Sequence, residues 1–232
     1  MSGTAVSDIG ARLGVPRRTV ADWINGAIPH SASLETGSQP DGLRHRAALG
    51  REYVHLLGLY LGDGCLSRQP RDVYKLRIFL DAKYPAIIAG AGNAIEAVAD
   101  RKCGMLLRGG TCVEVYSGWR AWPSLFPQHG AGKKHERLIE LAPWQVDLVA
   151  RWPHELVKGL VQSDGCRFQN SGRGGWSAPR YAFKNRSTDI HRIFRDACER
   201  VGVRWTAAGV DTTYVSRQAD VAILDEFIGP KR

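Results

Sequence analysis

Two nine-residue strings, 101 positions apart, constrain this chain more than any other feature: residues 56–64 read LLGLYLGDG and residues 157–165 read VKGLVQSDG. Each closes an apolar, helix-like run with Asp-Gly. Gly58 and Gly62 are four apart, hence on one helix face, and Gly159 and Ser163 hold the matching positions in the second copy. Small residues so spaced let two helix backbones approach closely. The two runs are therefore expected to pack side by side and to bring Asp63 and Asp164 together. An aspartate at a helix C-terminus opposes the helix dipole, and two carboxylates held close repel each other. A divalent cation relieves both, and hard Mg²⁺ suits carboxylate and phosphate oxygens. A single Asp-Gly is a common turn. The doubled, matched use, with Cys65 and Cys166 following in register, favours a joint role.

The rest of the composition narrows the partner. At 232 residues with 44% hydrophobic content the chain can bury a proper core, and no apolar run approaches the roughly 20 residues of a bilayer span. A soluble, cytoplasmic protein without membrane association is expected, its N-terminus lacking the pattern of a secretory signal. The formal net charge of +9 favours a polyanion. Residues 1–50 hold five Lys or Arg against four Asp or Glu, so nearly all of the excess lies in 51–232. Five cysteines without a CxxC pair indicate neither a disulfide framework nor a zinc ribbon.

Residues 7–25, SDIGARLGVPRRTVADWIN, divide at Gly14 into two helical pieces. Ser7 can cap the first, and Ile9 and Leu13 share a face. Pro16 suits the start of the second, where Val20, Trp23 and Ile24 form the inward stripe and Arg17, Arg18 and Thr19 stay exposed at its N-terminal end. This resembles a helix-turn-helix, whose second helix reads a major groove. Residues 1–28 are read as that module and 29–50 as a linker rich in turn formers. Tethering a small DNA-reading module to a larger one by such a linker would raise effective concentration without new contacts.

Residues 56–64 and 157–165 align without gaps with the signature of the LAGLIDADG homing endonucleases, and the resemblance covers about 51–232. It implies an α+β fold of duplicated αββαββα halves with antiparallel, saddle-shaped sheets, in a pseudo-symmetric monomer. The halves would be about 51–126 and 154–232, joined by a connector at 127–153 that carries Lys133, Lys134 and Arg137. The residue pattern follows that order. Residues 73–81 alternate as a strand with Leu76, Ile78 and Leu80 on one face and Lys75, Arg77 and Phe79 on the other. Residues 85–100 read as a helix, 104–107 and 111–117 as a hairpin, and 119–126 as a closing helix. In the second half 181–186 read as a strand, 188–202 as a helix capped by Ser187, 203–207 and 212–217 as strands, and 219–228 as a helix.

The resemblance further implies that the saddle rests on double-stranded DNA, with Lys75, Arg77, Lys184, Arg186, Arg204 and Arg217 outward. Asp63 and Asp164 would hold Mg²⁺ or Mn²⁺ and each serve one strand's scissile phosphate, leaving a staggered break. Lys75 and Lys184 are the basic residues expected to support the chemistry, and no small-molecule cofactor is expected. The alternative is a sequence-specific transcriptional regulator that keeps the scaffold without cleaving. Splicing is disfavoured, because the terminal GPKR is not the His-Asn of a splice junction.

Overall fold

The computed structural model describes residues 46 and 48–229. The expected helix-turn-helix at 1–28, with Arg17, Arg18 and Thr19, lies outside the described residues, as does nearly all of the linker at 29–50. Two repeats of helix and sheet make up the described chain. In the first, α1 (Arg51–Asp63) runs directly into β1 (Gly64–Arg68), which pairs antiparallel with β2 (Tyr74–Asp81). Helix α2 (Pro85–Ala99) leads to β3 (Gly104–Arg108) and β4 (Cys112–Trp119), and the short α3 (Trp122–Leu125) closes the repeat. The connector contains α4 (Pro143–Arg151). The second repeat is α5 (Pro153–Asp164), β5 (Gly165–Ser171), β6 (Ser177–Lys184), α6 (Thr188–Val201), β7 (Thr206–Ala208), β8 (Thr212–Val215) and α7 (Gln218–Ile228). Both sheets are antiparallel and four-stranded, with spatial orders β1-β2-β4-β3 and β5-β6-β8-β7.

Helix α1 is buried at every position from Tyr53 to Leu61. A helix apolar on all sides must be covered on all sides, and α5, α2, α4 and β2 supply the cover. Inward positions of both sheets, Leu76, Ile78 and Val115 in one and Tyr181, Phe183 and Val215 in the other, complete the core. The polar cost of burying Tyr53 is met inside: its hydroxyl donates to the Leu125 carbonyl at 2.5 Å and accepts from Gln145 Nε2 at 2.6 Å. Gln145 thereby ties α4 to α1. At α6, Ser187 Oγ accepts from the Ile190 amide, and Gly202, at φ 81°, ends the helix in the left-handed region.

Several boundaries differ from the sequence expectation, each for a structural reason. Strands β1 and β5 begin immediately after the aspartates, so Gly64 and Gly165 do not reverse the chain; their φ values, −96° and −105°, are extended. Glycine is required for close approach instead. A Cβ on Gly64 would lie 2.8 Å from the Tyr60 carbonyl oxygen, and one on Gly165 would lie 2.7 Å from Val161 Cα. The closing helix spans only Trp122–Leu125, because Trp119 still pairs with Tyr74. Strand β6 lies earlier than expected, and its last ladder partner is Lys184, opposite Thr212, which leaves Arg186 in the following loop. Val203 donates to the Cys198 carbonyl as part of the α6 C-cap, so β7 starts only at Thr206 and Arg204 precedes it. Arg217 is the N-cap residue of α7, beyond β8. Helix α4 is an element the sequence reading lacks, since it is short and its apolar face is interrupted by Gln145.

Candidate functional site

The ends of α1 and α5 organise the site. A Cβ on Gly58 would lie 2.7 Å from the Leu156 carbonyl oxygen and 2.9 Å from Gly159 Cα, while one on Gly159 would lie 2.9 Å from Gly58 Cα. The backbones therefore touch where the small residues face each other. One turn on, a Cβ on Gly62 would meet Ser163 Cβ at 2.5 Å and Asp164 Oδ2 at 3.1 Å. Each aspartate ends its helix against the end of the other. Asp164 lines a cleft of about 510 Å³ together with Gly62, Gly64 and Cys65, and Asp63 lines a cavity of about 260 Å³ together with Gln162 and Ser163. Asp164 and Asp63 thus line separate cavities, each built partly by the opposite helix.

The larger cleft is strongly basic. Lys133, Lys134, Arg137, Lys184 and Arg186 line it, and among the described residues Asp164 is its one acidic lining side chain. Lys134 comes from the connector and reaches the C-terminus of α1, where its ammonium donates to the carbonyls of Tyr60, Leu61 at 3.0 Å and Gly62 at 2.8 Å. These carbonyls belong to the last turn of α1, where that of Tyr60 also accepts from the Gly64 amide. Burial pushes the Lys134 pKa down from its ordinary 10.5 to about 8, against the upward pull of Asp164 and Asp63. One ammonium thus senses both aspartates.

That shift has a testable sign. Between about pH 8 and the unfolded value the unfolded chain holds one more proton than the folded chain, so the Lys134 contribution to stability rises with pH across that window. Urea unfolding of wild type and Lys134→Met should show a free-energy difference moving in favour of wild type from about pH 8 to pH 10. A difference that stays flat would contradict the depressed pKa.

Asp164 is held in a fixed orientation. Asn185 Nδ2 donates to Asp164 Oδ2 at 2.6 Å, while Asn185 Oδ1 accepts from the Ser187 amide at 2.8 Å. The second bond assigns the amide, because only its NH₂ is then left to face the carboxylate. The Asn185 carbonyl meets His191 Nε2 at 2.9 Å, and His191 Nδ1 meets Thr213 Oγ1 at 3.0 Å, which ties the loop to α6 and β8.

The strand registers decide which expected residues share this neighbourhood. Gly64 pairs with Ile78 in the first sheet and Gly165 with Phe183 in the second, so Phe79 corresponds to Lys184, Leu80 to Asn185 and Asp81 to Arg186. Lys184 therefore stands beside the Asp164 end, 3.7 Å from Asp211, and lines the cleft. Lys75 lies three residues before Ile78, about 10 Å along the strand. Its counterpart by register is Arg180, not Lys184. Lys75 Nζ stands 3.7 Å over the Tyr116 ring and Arg180 stands 4.8 Å over Tyr214, and these two tyrosines also correspond by register. Lys75 further pairs with the buried Glu114 at 2.9 Å, with Arg77 3.8 Å from the same carboxylate. Burial alone would raise the Glu114 pKa, but Lys75 and Arg108 outweigh it and hold the carboxyl below its ordinary range.

Of the remaining expected residues, Arg186 is exposed at the cleft rim, and Arg204 is bound to Asp220 of α7 at 3.2 and 3.4 Å. Arg217 lines a separate hollow with Trp205 and Tyr214. Sequence reasoning misses Asn185 and Glu114, and it gives Lys134 only as one of several connector charges. Glu114 carries a visible signal, as the sole charge in an otherwise uncharged strand, CVEVYSGW. Asn185 carries none without the register.

The donor chemistry fits a hard divalent cation. Two carboxylates lie at helix C-termini, where carbonyl oxygens and the negative end of the dipole add to their field. The Asn185 bond takes one of the roughly four lone-pair sites that a carboxylate offers. Among the described residues there is no cluster of three or more His, Cys, Asp or Glu side chains, so further oxygens would come from backbone, water or phosphate. No described helix is long and apolar enough to cross a membrane.

No protein-family model matches the chain, and no curated protein matches it. Solved structures do. The homing endonuclease I-WcaI bound to its DNA recognition sequence aligns at 12% identity over 85% of this chain and 91% of that one, with a TM-score of 0.51. A single-residue variant of I-DmoI, in complex with its target DNA and in the presence of Mn, aligns at 15% identity over 77% and 93%, with a TM-score of 0.49. The N-terminal LAGLIDADG domain of DUF199/WhiA aligns at 12% identity over 86% and 95%, with a TM-score of 0.47. With two four-stranded antiparallel sheets in repeated helix-strand-strand-helix units, set on two touching motif helices, the chain has an α+β, LAGLIDADG-like fold.

Proposed function

We propose that this protein is a site-specific, divalent-metal-dependent endonuclease of double-stranded DNA that hydrolyses one phosphodiester in each strand and leaves a staggered break. The observation that carries the reading is the crosswise placement of Asp63 and Asp164 at the touching ends of α1 and α5, beside a cleft lined with basic side chains. Mg²⁺ or Mn²⁺ held by these two aspartates would polarise a phosphoryl oxygen and lower the pKa of a nearby water. The chain's own residues supply the rest. Lys184 and Arg186 attract a backbone phosphate to the Asp164 end, and Lys134 brings a positive charge to the place where negative charge builds up. Asn185 keeps Asp164 in one rotamer, so that little reorganisation is needed when the substrate arrives. Outward side chains of both sheets, Lys75, Arg77 and Lys184 among them, contribute phosphate and base-edge contacts. The helix-turn-helix reading of 1–28 adds a second, tethered contact with DNA.

A specific observation also favours the regulator reading: Lys134 already brings a cation to the α1 carbonyls, close enough for Asp164 and Asp63 to draw its pKa upward. Incubation of the purified full chain with a library of long duplexes in Mg²⁺ separates the two. Defined breaks in both strands at one recurring sequence support the endonuclease. Specific binding with intact DNA in both Mg²⁺ and Mn²⁺ overturns it in favour of the regulator.

A further inference from the structure

Glu114 is out of place on a surface meant for DNA. It lies on the outward face of the first sheet, opposite Phe79 and in line with Tyr116, yet its side chain is only 1% exposed because three cations cover it. Lys75 Nζ lies 2.9 Å from Oε1, and Arg108 donates to Oε2 through Nε at 2.8 Å and approaches it through Nη2 at 2.7 Å. Arg77 stands 3.8 Å away and donates to Ser67 Oγ at 2.7 Å. The fold does not require a carboxylate there, since the register puts Thr212 at the corresponding position of the second sheet.

A buried anion among phosphate-seeking cations weakens general attraction to a polyanion. Its compensating effect is geometric. Long basic side chains free to move follow the phosphates, which carry no sequence information, whereas cations held in one geometry present fixed donors to base edges. In the major groove, fixed Arg and Lys donors match the O6 and N7 acceptors of guanine. We infer that Glu114 is a positioning residue for specificity, holding Lys75, Arg77 and Arg108 as a rigid reader of about three guanine-bearing base pairs in one half-site. The second sheet lacks this clamp and reads its half-site less strictly. The inference rests on the DNA-binding reading of the outward faces.

The test is selection from a randomised duplex library by the full chain in EDTA, with Glu114→Gln and Glu114→Thr run beside wild type and thermal melts confirming that each variant is folded. Wild type should enrich a site with guanines concentrated at one end. Glu114→Gln should lose preference at that end by about tenfold or more, keep the other end, and show a salt dependence of binding steeper by about one unit as freed cations move to phosphates. Glu114→Thr, which copies the second sheet, should do the same. An unchanged enriched site in folded Glu114 variants overturns the inference while leaving DNA binding intact. Equal loss at both ends overturns it in favour of a purely structural role. A wild-type chain that binds no duplex overturns the DNA-binding reading and the inference with it. Should both Glu114 variants fail to fold, Arg108→Gln and Lys75→Gln carry the test: guanine preference lost at one end supports the clamp, and an unchanged site overturns it.

Discussion

Asp63→Asn and Asp164→Asn should each lower the single-turnover cleavage rate by about 10³-fold or more while leaving DNA affinity equal to or tighter than wild type. The magnitude follows from the cation. Its stabilisation of the transition state amounts to several kcal/mol, and each ~1.4 kcal/mol is a tenfold change in rate. The affinity moves the other way, because removing a carboxylate, from the basic cleft at Asp164 or from the smaller cavity at Asp63, reduces repulsion of the phosphate backbone. Each substitution is nearly isosteric, so the folded state should survive; for Asp164 the bond from Asn185 would need only a turn of the new amide. The readout is strand-resolved cleavage in Mg²⁺ alongside binding in EDTA. Cleavage by the double variant at the wild-type rate would remove the two aspartates, and with them the proposed chemistry, from the site.

Gly58→Val should destabilise the protein by about 3–5 kcal/mol in urea unfolding, above the ~1–3 kcal/mol of ordinary overpacking. The difference lies in what the new side chain meets. At Gly58 the nearest atoms are the Leu156 carbonyl oxygen, Gly159 Cα and the Leu160 nitrogen, all backbone of the facing helix. Backbone in a packed helix cannot rotate aside, so the helices must separate, and their buried contact is lost along its length. Gly118→Ala is the control: there the new Cβ would lie 3.4 Å from Val73 Cγ1, an ordinary contact, and the cost should stay within ~1 kcal/mol. Equal stability of the Gly58 and Gly118 variants would mean that close helix contact does not hold the two halves together. Because the aspartates depend on that contact, partly folded Gly58→Val protein should also cleave more slowly per folded molecule.

Much of this architecture is legible without coordinates. The alternation at 73–81, the Ser187 cap and the small-residue faces are local patterns, each set by residues a few positions apart. Strands β1 and β5 escape the sequence reading because the Asp-Gly pairs look like turns. In fact the helix passes straight into a strand, and the glycine is required by the crowding of Tyr60 and Val161, which only packing reveals. The ion pair of Arg204 with Asp220, 16 residues later, is likewise invisible in the local pattern.

The pairing of Lys75 with Lys184 shows the boundary most clearly. Gly64 and Ile78 are 14 positions apart, but Gly165 and Phe183 are 18 apart, because the β5-β6 hairpin is longer than its counterpart. No constant offset relates the two halves, so equivalence passes from Lys75 to Arg180 and from Lys184 to Phe79. What the sequence alone determined is what short-range spacing encodes: two helices with matched small faces, each ending in aspartate. Only the tertiary structure decided which residues surround those aspartates. Lys134 arrives from the connector and Asn185 from beyond β6, and their positions depend on strand register and chain reversal over tens of residues. Those are energies of the whole fold and not of any local segment.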